Sequence, residues 1–174
     1  FFGSAGGDRV RALLAELEAR TQASARGAVA PTPVGEVDAA SYHRRLWVTR
    51  PRPGVDRMAS AWLIRHFIDP HARFSFAADR DTLPTPDAVP FDMFGVAFGH
   101  HGEACTFETL CAVFRIADPA VSRLAAIVHD LDLKDGRFGA SDAPTVGSLI
   151  DGLQLAHGDD ADAGDLFEAG VELG

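Results

Sequence analysis

Cysteine is scarce in this sequence, two in 174 residues, and Cys105 and Cys111 stand six apart. That spacing is neither the CxxC of a metal knuckle or redox pair nor part of a disulfide framework, so a reducing cytoplasm is the expected compartment. Long apolar runs are missing too. No stretch approaches the roughly 18–20 residues of a membrane span, and the start carries no basic, apolar and small-residue leader, so no membrane association is expected. Positive charge is in deficit, with 16 Lys and Arg against 25 Asp and Glu for a formal net charge of −9. Nucleic-acid binding draws most of its affinity from neutralised phosphates, so this piece is not expected to contact DNA or RNA directly. Phosphate loop, GxGxxG, GxSxG and HExxH are all absent, and there is no internal repeat. The chain begins "FFGSAGG" without an initiator Met, which reads as a piece of a longer protein.

What is present is ordinary globular composition, 47% hydrophobic and 24% charged, in an amount that suits one domain with an appendage. Val10, Leu13, Leu14 and Leu17 mark an amphipathic helix, and the aperiodic "GAVAPTPVGEVDAAS" that follows reads as a linker. Residues 1–42 are therefore expected to be the tail of a missing N-terminal domain, and residues 43–174 the domain itself. "RLWVT" and "ARFSFA" are short strand candidates, and "VPFDMFGVAFGHHG" offers one or two more. "RPRPG" stops the first strand, and Asp56 is placed to cap a helix whose stripe is Met58, Ala59, Trp62, Leu63, His66 and Phe67.

Thr106 is expected to cap a helix carrying Phe107, Leu110, Cys111 and Phe114. Asp118-Pro119 opens the next, with Val121, Leu124, Ala125, Val128 and Leu131 as its buried face. Val146, Leu149, Ile150 and Leu153 define a further helix, and Leu166, Phe167 and Val171 a weaker one. The fold class is α+β, a mainly helical single domain with a few short strands.

Chemistry concentrates in three places. "HDLDLKD", residues 129–135, puts three carboxylates at a helix C-terminus, where backbone carbonyls are already partly negative, and a cation would reverse that cost. His129 and Asp132 lie three apart, on neighbouring parts of one helical face. "FGHHGEACTFE" gathers His100, His101, Glu103, Cys105 and Glu108. Together these nitrogen and oxygen donors suit one divalent transition metal, Zn, Fe, Mn or Ni. The plain alternative is a solvated acidic turn and a hydrogen-bonded histidine. "TRPRPGVDR" brings Arg50, Arg52 and Arg57 to a turn and helix start, a corner suited to sulfate, phosphate or chromate. Its alternative is an ion pair from Arg57 to Asp56, Asp69 or a distant acid. Cys105, ahead of a helix start and near His100, is a candidate redox or ligand thiol.

"TRPRPGVDRMASAWLIRHFIDP", "FDMFGVAFGHHGEACTFETL" and "IVHDLDLKDGRFG" occur in an order that resembles the C-terminal domain of the ChrB chromate resistance family, from about Trp47 to His157. The resemblance implies a role in bacterial chromate resistance, in a chromate-responsive regulator. It places His100 rather than His101 on the family's histidine position, with Glu108, His129, Asp132, Lys134 and Asp135 on matching positions. His100, Glu108, His129 and Asp132 are accordingly expected to converge on one metal, and Arg50, Arg52 and Arg57 on an anion. The leading expectation is a sensor or regulatory module that binds a metal or oxyanion and biases its own N-terminal domain. A metal-dependent enzyme acting on chromate or a related oxidant is the second class, and a ligand-free interaction module the third. The enzyme question and homodimerisation stay open at this stage.

Overall fold

The computed structural model describes residues 37–157, all within one unit that begins at Pro33. The expected helices at Val10–Leu17 and around Leu166–Val171, and most of the linker, lie outside the described residues. The architecture is α+β. Three short strands, β1 (Leu46–Thr49), β2 (Arg73–Phe76) and β3 (Val89–Pro90), form an all-parallel sheet in the order β2-β1-β3. Trp47 pairs with Phe74 on one side and Val89 on the other. The central position of β1 explains its apolar composition, and Trp47, Val48 and Thr49 are fully buried.

Parallel neighbours need a crossover, and helix α1 (Val55–Leu63) supplies the one between β1 and β2. Gly54 is its N-cap, whereas the sequence suggested Asp56. Asp56 instead sits in the first turn with its side chain turned inward, for a reason given below. After Leu63 the helix widens into a π turn, Ile64–Ile68, closed by Asp69 N–H donating to the Ile64 carbonyl at 2.7 Å. The wider turn shifts the apolar stripe out of step. Phe67, expected in the core, is consequently 42% exposed, while Trp62 stacks on His66. Asp69 stays buried and accepts from the Arg44, Arg45 and His71 amides and from Trp47 Nε1, which ties the end of α1 to the start of β1. Tyr42, just ahead of the expected boundary at His43, packs on Trp47, Phe98 and Phe114.

Helix α2 (Thr106–Val113) is capped by Cys105 rather than Thr106, and Glu108 reaches back to accept from the Cys105 amide at 2.9 Å. Helix α3 (Pro119–Asp132) starts as its sequence predicts, Asp118 accepting from Ala120 and Val121 N–H with Pro119 in the first turn. Helix α4 (Ala143–His157) packs on α3. Trp47, Ile64, Phe91, Phe98, Phe107, Leu110 and Val128 belong to the main buried core, where α1, α2 and α3 meet the sheet. Of the long loop 91–104, only isolated bridges pair, Phe91 with Phe98 and His101 with Ala104. That loop and the start of α2 carry most of the chemistry.

Candidate functional site

Asp56 lies in the first turn of α1, yet it serves a different helix. Its two oxygens accept the N–H groups of Thr106 and Phe107 at 2.9 Å each, which are orphan donors of the first turn of α2. A carboxylate at a helix N-terminus is also favoured by the helix dipole. Burial pushes the Asp56 carboxyl up, but hydrogen bonds from His100, Phe107 and Thr106 outweigh it, and the net shift is down. Asp56 is ionised and buried because α2 needs it.

Asp92 follows β3 with φ +45°, a left-handed conformation that Asp tolerates better than most residues. Its amide donates to the Phe98 carbonyl at 2.8 Å, closing the loop that brings His100 back. One carboxylate oxygen, Oδ1, accepts from Thr106 Oγ1 at 3.2 Å. The other, Oδ2, is taken by a short contact from Arg57 Nε and lies 3.7 Å from Arg50 Nη2.

His100 Nε2 faces three carboxylates. Asp56 Oδ2 lies at 3.0 Å, Asp132 Oδ2 at 3.4 Å and Asp92 Oδ1 at 3.5 Å. The hydrogen bond to Asp56 raises the His100 pKa most; burial opposes it, and the charges of Asp56, Asp132 and Asp92 add to the rise. Asp132 comes from the last turn of α3. Its carboxyl is pushed up by burial and by the charges of Asp56 and Asp92, against the lowering pull of His100 and Arg57. The His100 side chain is 40% exposed, so the cluster has an open side.

A second cluster lies one turn earlier on α3. His129 is wholly buried, its Nδ1 2.6 Å from Glu108 Oε2 and its Nε2 3.2 Å from Asp135 Oδ2. Phe138 stands edge-on to the imidazole at 4.9 Å. Burial opposes the charged form, but the two carboxylates win and the His129 pKa rises. Cys105 Sγ joins Glu108 and His129 with ligand atoms within 4.8 Å of one another. Burial, with Asp56 and Glu108 nearby, pushes the Cys105 thiol far above its ordinary range. It is a fully buried thiol.

The four residues expected around one ion are thus distributed over two groups, His100 with Asp132 and Glu108 with His129. Residues three apart on α3 point into different clusters because α2 begins between them. Asp92 went unnoticed in the sequence, and Asp56 was read there as a cap or ion-pair partner and not as a member of the site. A signal for Asp92 existed, since "PFDMF" sets an acid among large apolar residues, where an unpaired charge is costly. The three arginines also part company. Arg57 takes the ion-pair alternative, with Asp92 as the distant acid, and its Nη1 donates to the carbonyls of Arg50, Pro51 and Arg52 at 3.4, 3.2 and 3.0 Å. Arg50 Nε donates to the Asp92 carbonyl at 3.2 Å while its side chain stays 48% exposed. Arg52 contributes its carbonyl, at φ +57°.

Among the described residues no helix is long and apolar enough to cross a membrane. No solved structure matches the chain. Protein ChrB of Cupriavidus metallidurans is 44% identical over 97 residues, covering 55% of this chain and 30% of that protein. The chain therefore matches less than a third of the relative's length. The family model described as "ChrB, C-terminal domain" matches residues 47–170, which takes in both histidine clusters and all three arginines, and the chain belongs to that family.

Proposed function

We propose that this domain is the ligand-sensing module of a chromate resistance protein, and that its sensing centre is a divalent metal site formed by Asp56, Asp92 and His100 with Asp132 beside them. The observation that carries the reading is the crowding at His100 Nε2. A ring N–H has one proton in the ring plane and can serve one acceptor well, yet three carboxylate oxygens stand 3.0–3.5 Å away. Two donor atoms each about 2.1 Å from a shared ion lie about 3.0 Å apart in octahedral and about 3.4 Å apart in tetrahedral surroundings, so these spacings are compatible with ligands on one cation. One imidazole with carboxylates is a hard donor set suited to Mn, Fe or Zn. Bound there, the ion would supply a positive charge and an exchangeable position toward solvent, on the side opened by His100.

The arginine turn adds to this reading. Arg50, half exposed beside Asp92, is the guanidinium available to a tetrahedral oxyanion such as chromate, whereas Arg57 is engaged within the protein. Regulation then follows from linkage: a ligand that favours one arrangement of the module biases the N-terminal domain that precedes it. On this reading the acidic chain of residues 1–174 should show no salt-dependent promoter affinity of its own, whereas the longer protein should bind its promoter and release it when chromate is added.

Elemental analysis tests the reading directly. Protein purified without a His-tag or metal resin should carry close to one equivalent of a divalent transition metal, lost in His100→Ala; metal-free protein that takes up no added Mn(II) or Zn(II) overturns it. The enzyme alternative requires multiple turnovers of chromate by the isolated chain.

A further inference from the structure

We infer that Arg57 fixes the charge of the ion the His100 centre accepts, admitting divalent ions and excluding trivalent ones of the same hard-donor preference. This rests on the metal reading above and names what decides its selectivity.

The argument begins with how firmly Arg57 is held. Its side chain is only 14% exposed and contacts Asp92 Oδ2 through Nε, while Nη1 bridges the carbonyls of Arg50, Pro51 and Arg52. The turn "RPRPG" exists in this shape around the Arg57 fork, with Arg52 in a left-handed conformation that aims its carbonyl inward. A guanidinium carries a permanent charge, so this cation cannot leave or neutralise when another cation arrives. Arg50 is different. Half exposed, 3.7 Å from the same oxygen and with Nε donating to the Asp92 carbonyl at 3.2 Å, it is partly screened by water, and its charge counts for less at the centre.

Charge then follows by counting. Asp56, Asp92 and Asp132 bring three negative charges, a ligating His100 brings none, and Arg57 returns one positive, leaving a net of two. A divalent ion balances that set. A trivalent ion leaves a surplus positive charge among side chains of which Asp56 and Asp92 are 3% and 8% exposed, where an uncompensated charge is poorly solvated.

Arg57 also limits the number of ligand atoms. With Oδ2 of Asp92 occupied, only Oδ1 faces His100, so Asp92 can offer one oxygen. Ligand charge and ligand count are the two variables by which oxygen-donor sites set affinity and selectivity. In this centre one side chain controls both.

The test uses the 174-residue chain stripped of metal, with Mn(II) and the redox-inert trivalent ion Ga(III) as probes. Free Mn(II) is read by its electron paramagnetic resonance signal, and occupancy by thermal stabilisation. Wild-type protein should hold Mn(II) against an equal concentration of citrate-buffered Ga(III). Arg57→Gln should raise the Ga(III)-to-Mn(II) affinity ratio by on the order of 100-fold, the size expected for one extra unit charge a few ångströms from the ion at intermediate dielectric. Arg57→Lys, which keeps the charge and loses the fork, should keep the wild-type ratio within about fivefold on the same charge argument. A folded Arg57→Gln protein with an unchanged ratio overturns the inference and leaves the metal site standing. Displacement of Mn(II) by Ga(III) from wild-type protein overturns it without any variant. Failure of the wild type to bind either ion instead removes the metal reading itself.

Discussion

His129 and His100 are both surrounded by carboxylates, and the difference between them lies in supply. His129 has two ring nitrogens and two acceptors, one for each, with no exposed surface and an aromatic edge over its face. Donors and acceptors match at the ring, and a protonated imidazole between Glu108 and Asp135 satisfies both nitrogens, with Cys105 Sγ beside them. His100 Nε2 has three acceptors for one proton, an open side, and an Asp132 whose ionisation is disfavoured as it stands. The first cluster is complete as a piece of protein. The second has more acceptors at one ring nitrogen than that nitrogen has protons. Paired histidine and carboxylate residues are thus not a site by themselves; the surplus is what marks one.

That comparison can be broken most forcefully at His129. Replacing it by Leu leaves Glu108 facing a buried apolar surface and should destabilise the domain by about 2–4 kcal/mol in urea unfolding, the partly exposed Asp135 softening the loss. Mn(II) affinity should change less than about fivefold if the clusters are separate. A large loss of affinity in a folded protein would merge them.

At His100 the pattern should invert. His100→Ala should cost the metal-free domain about 1 kcal/mol, less than His129→Leu, because the ion pair it removes with Asp56 is open to water on the His100 side. It should abolish the added stability from Mn(II), about 2.7 kcal/mol at a free concentration 100 times the dissociation constant. An unchanged Mn(II) response in a differential scanning measurement would transfer His100 to the structural side.

Asp132→Asn sharpens the contrast with a smaller effect of opposite sign on the two states. Burial and the charges of Asp56 and Asp92 raise the Asp132 pKa, so its charged form opposes folding, and the metal-free domain should gain about 1 kcal/mol on neutralisation. Mn(II) binding should weaken about tenfold, the equivalent of roughly 1.4 kcal/mol. Calorimetric titration and urea unfolding of the same sample check both halves.

The smallest effect concerns pH. Since the His129 pKa is raised in the fold, its contribution is fully present below its unfolded value of about 6.5 and is lost as pH rises through the folded one. The urea midpoint of metal-free protein should therefore fall on the alkaline side of that value, and His129→Leu should flatten the decline. His100 adds a parallel slope, so the double variant His100→Ala/His129→Leu gives the baseline.

Periodicity and capping chemistry made most of the helical layout readable in the sequence. α3 begins at Pro119 behind Asp118, and β1 and β2 lie within the two short strand candidates. The π turn was hidden, because nothing in "LIRHFI" separates it from an ordinary helical turn, and Phe67 was misplaced in consequence. At the site, the histidines and Asp132 were recognisable as metal-type residues, but local spacing could not say which would meet. Asp56 was taken for its own helix's cap when it serves α2, 50 residues away. Asp92 joins through loop closure and a partner 35 residues distant, a relation that no local pattern encodes.

The parallel sheet has a consequence in time. β1 must pair with β2 and β3 across intervening chain, pairings that form slowly because loop closure precedes any reward. The residues of the His100 centre come from α1, the turn after β3, the loop before α2 and the end of α3, so no fragment shorter than residues 56–132 contains them all. An ion held at this centre, as proposed, would not guide the early steps of folding but would meet a finished chain. Added Mn(II) should accordingly leave the refolding rate unchanged and slow unfolding alone, and occupancy would track the free ion around the protein rather than the history of its synthesis.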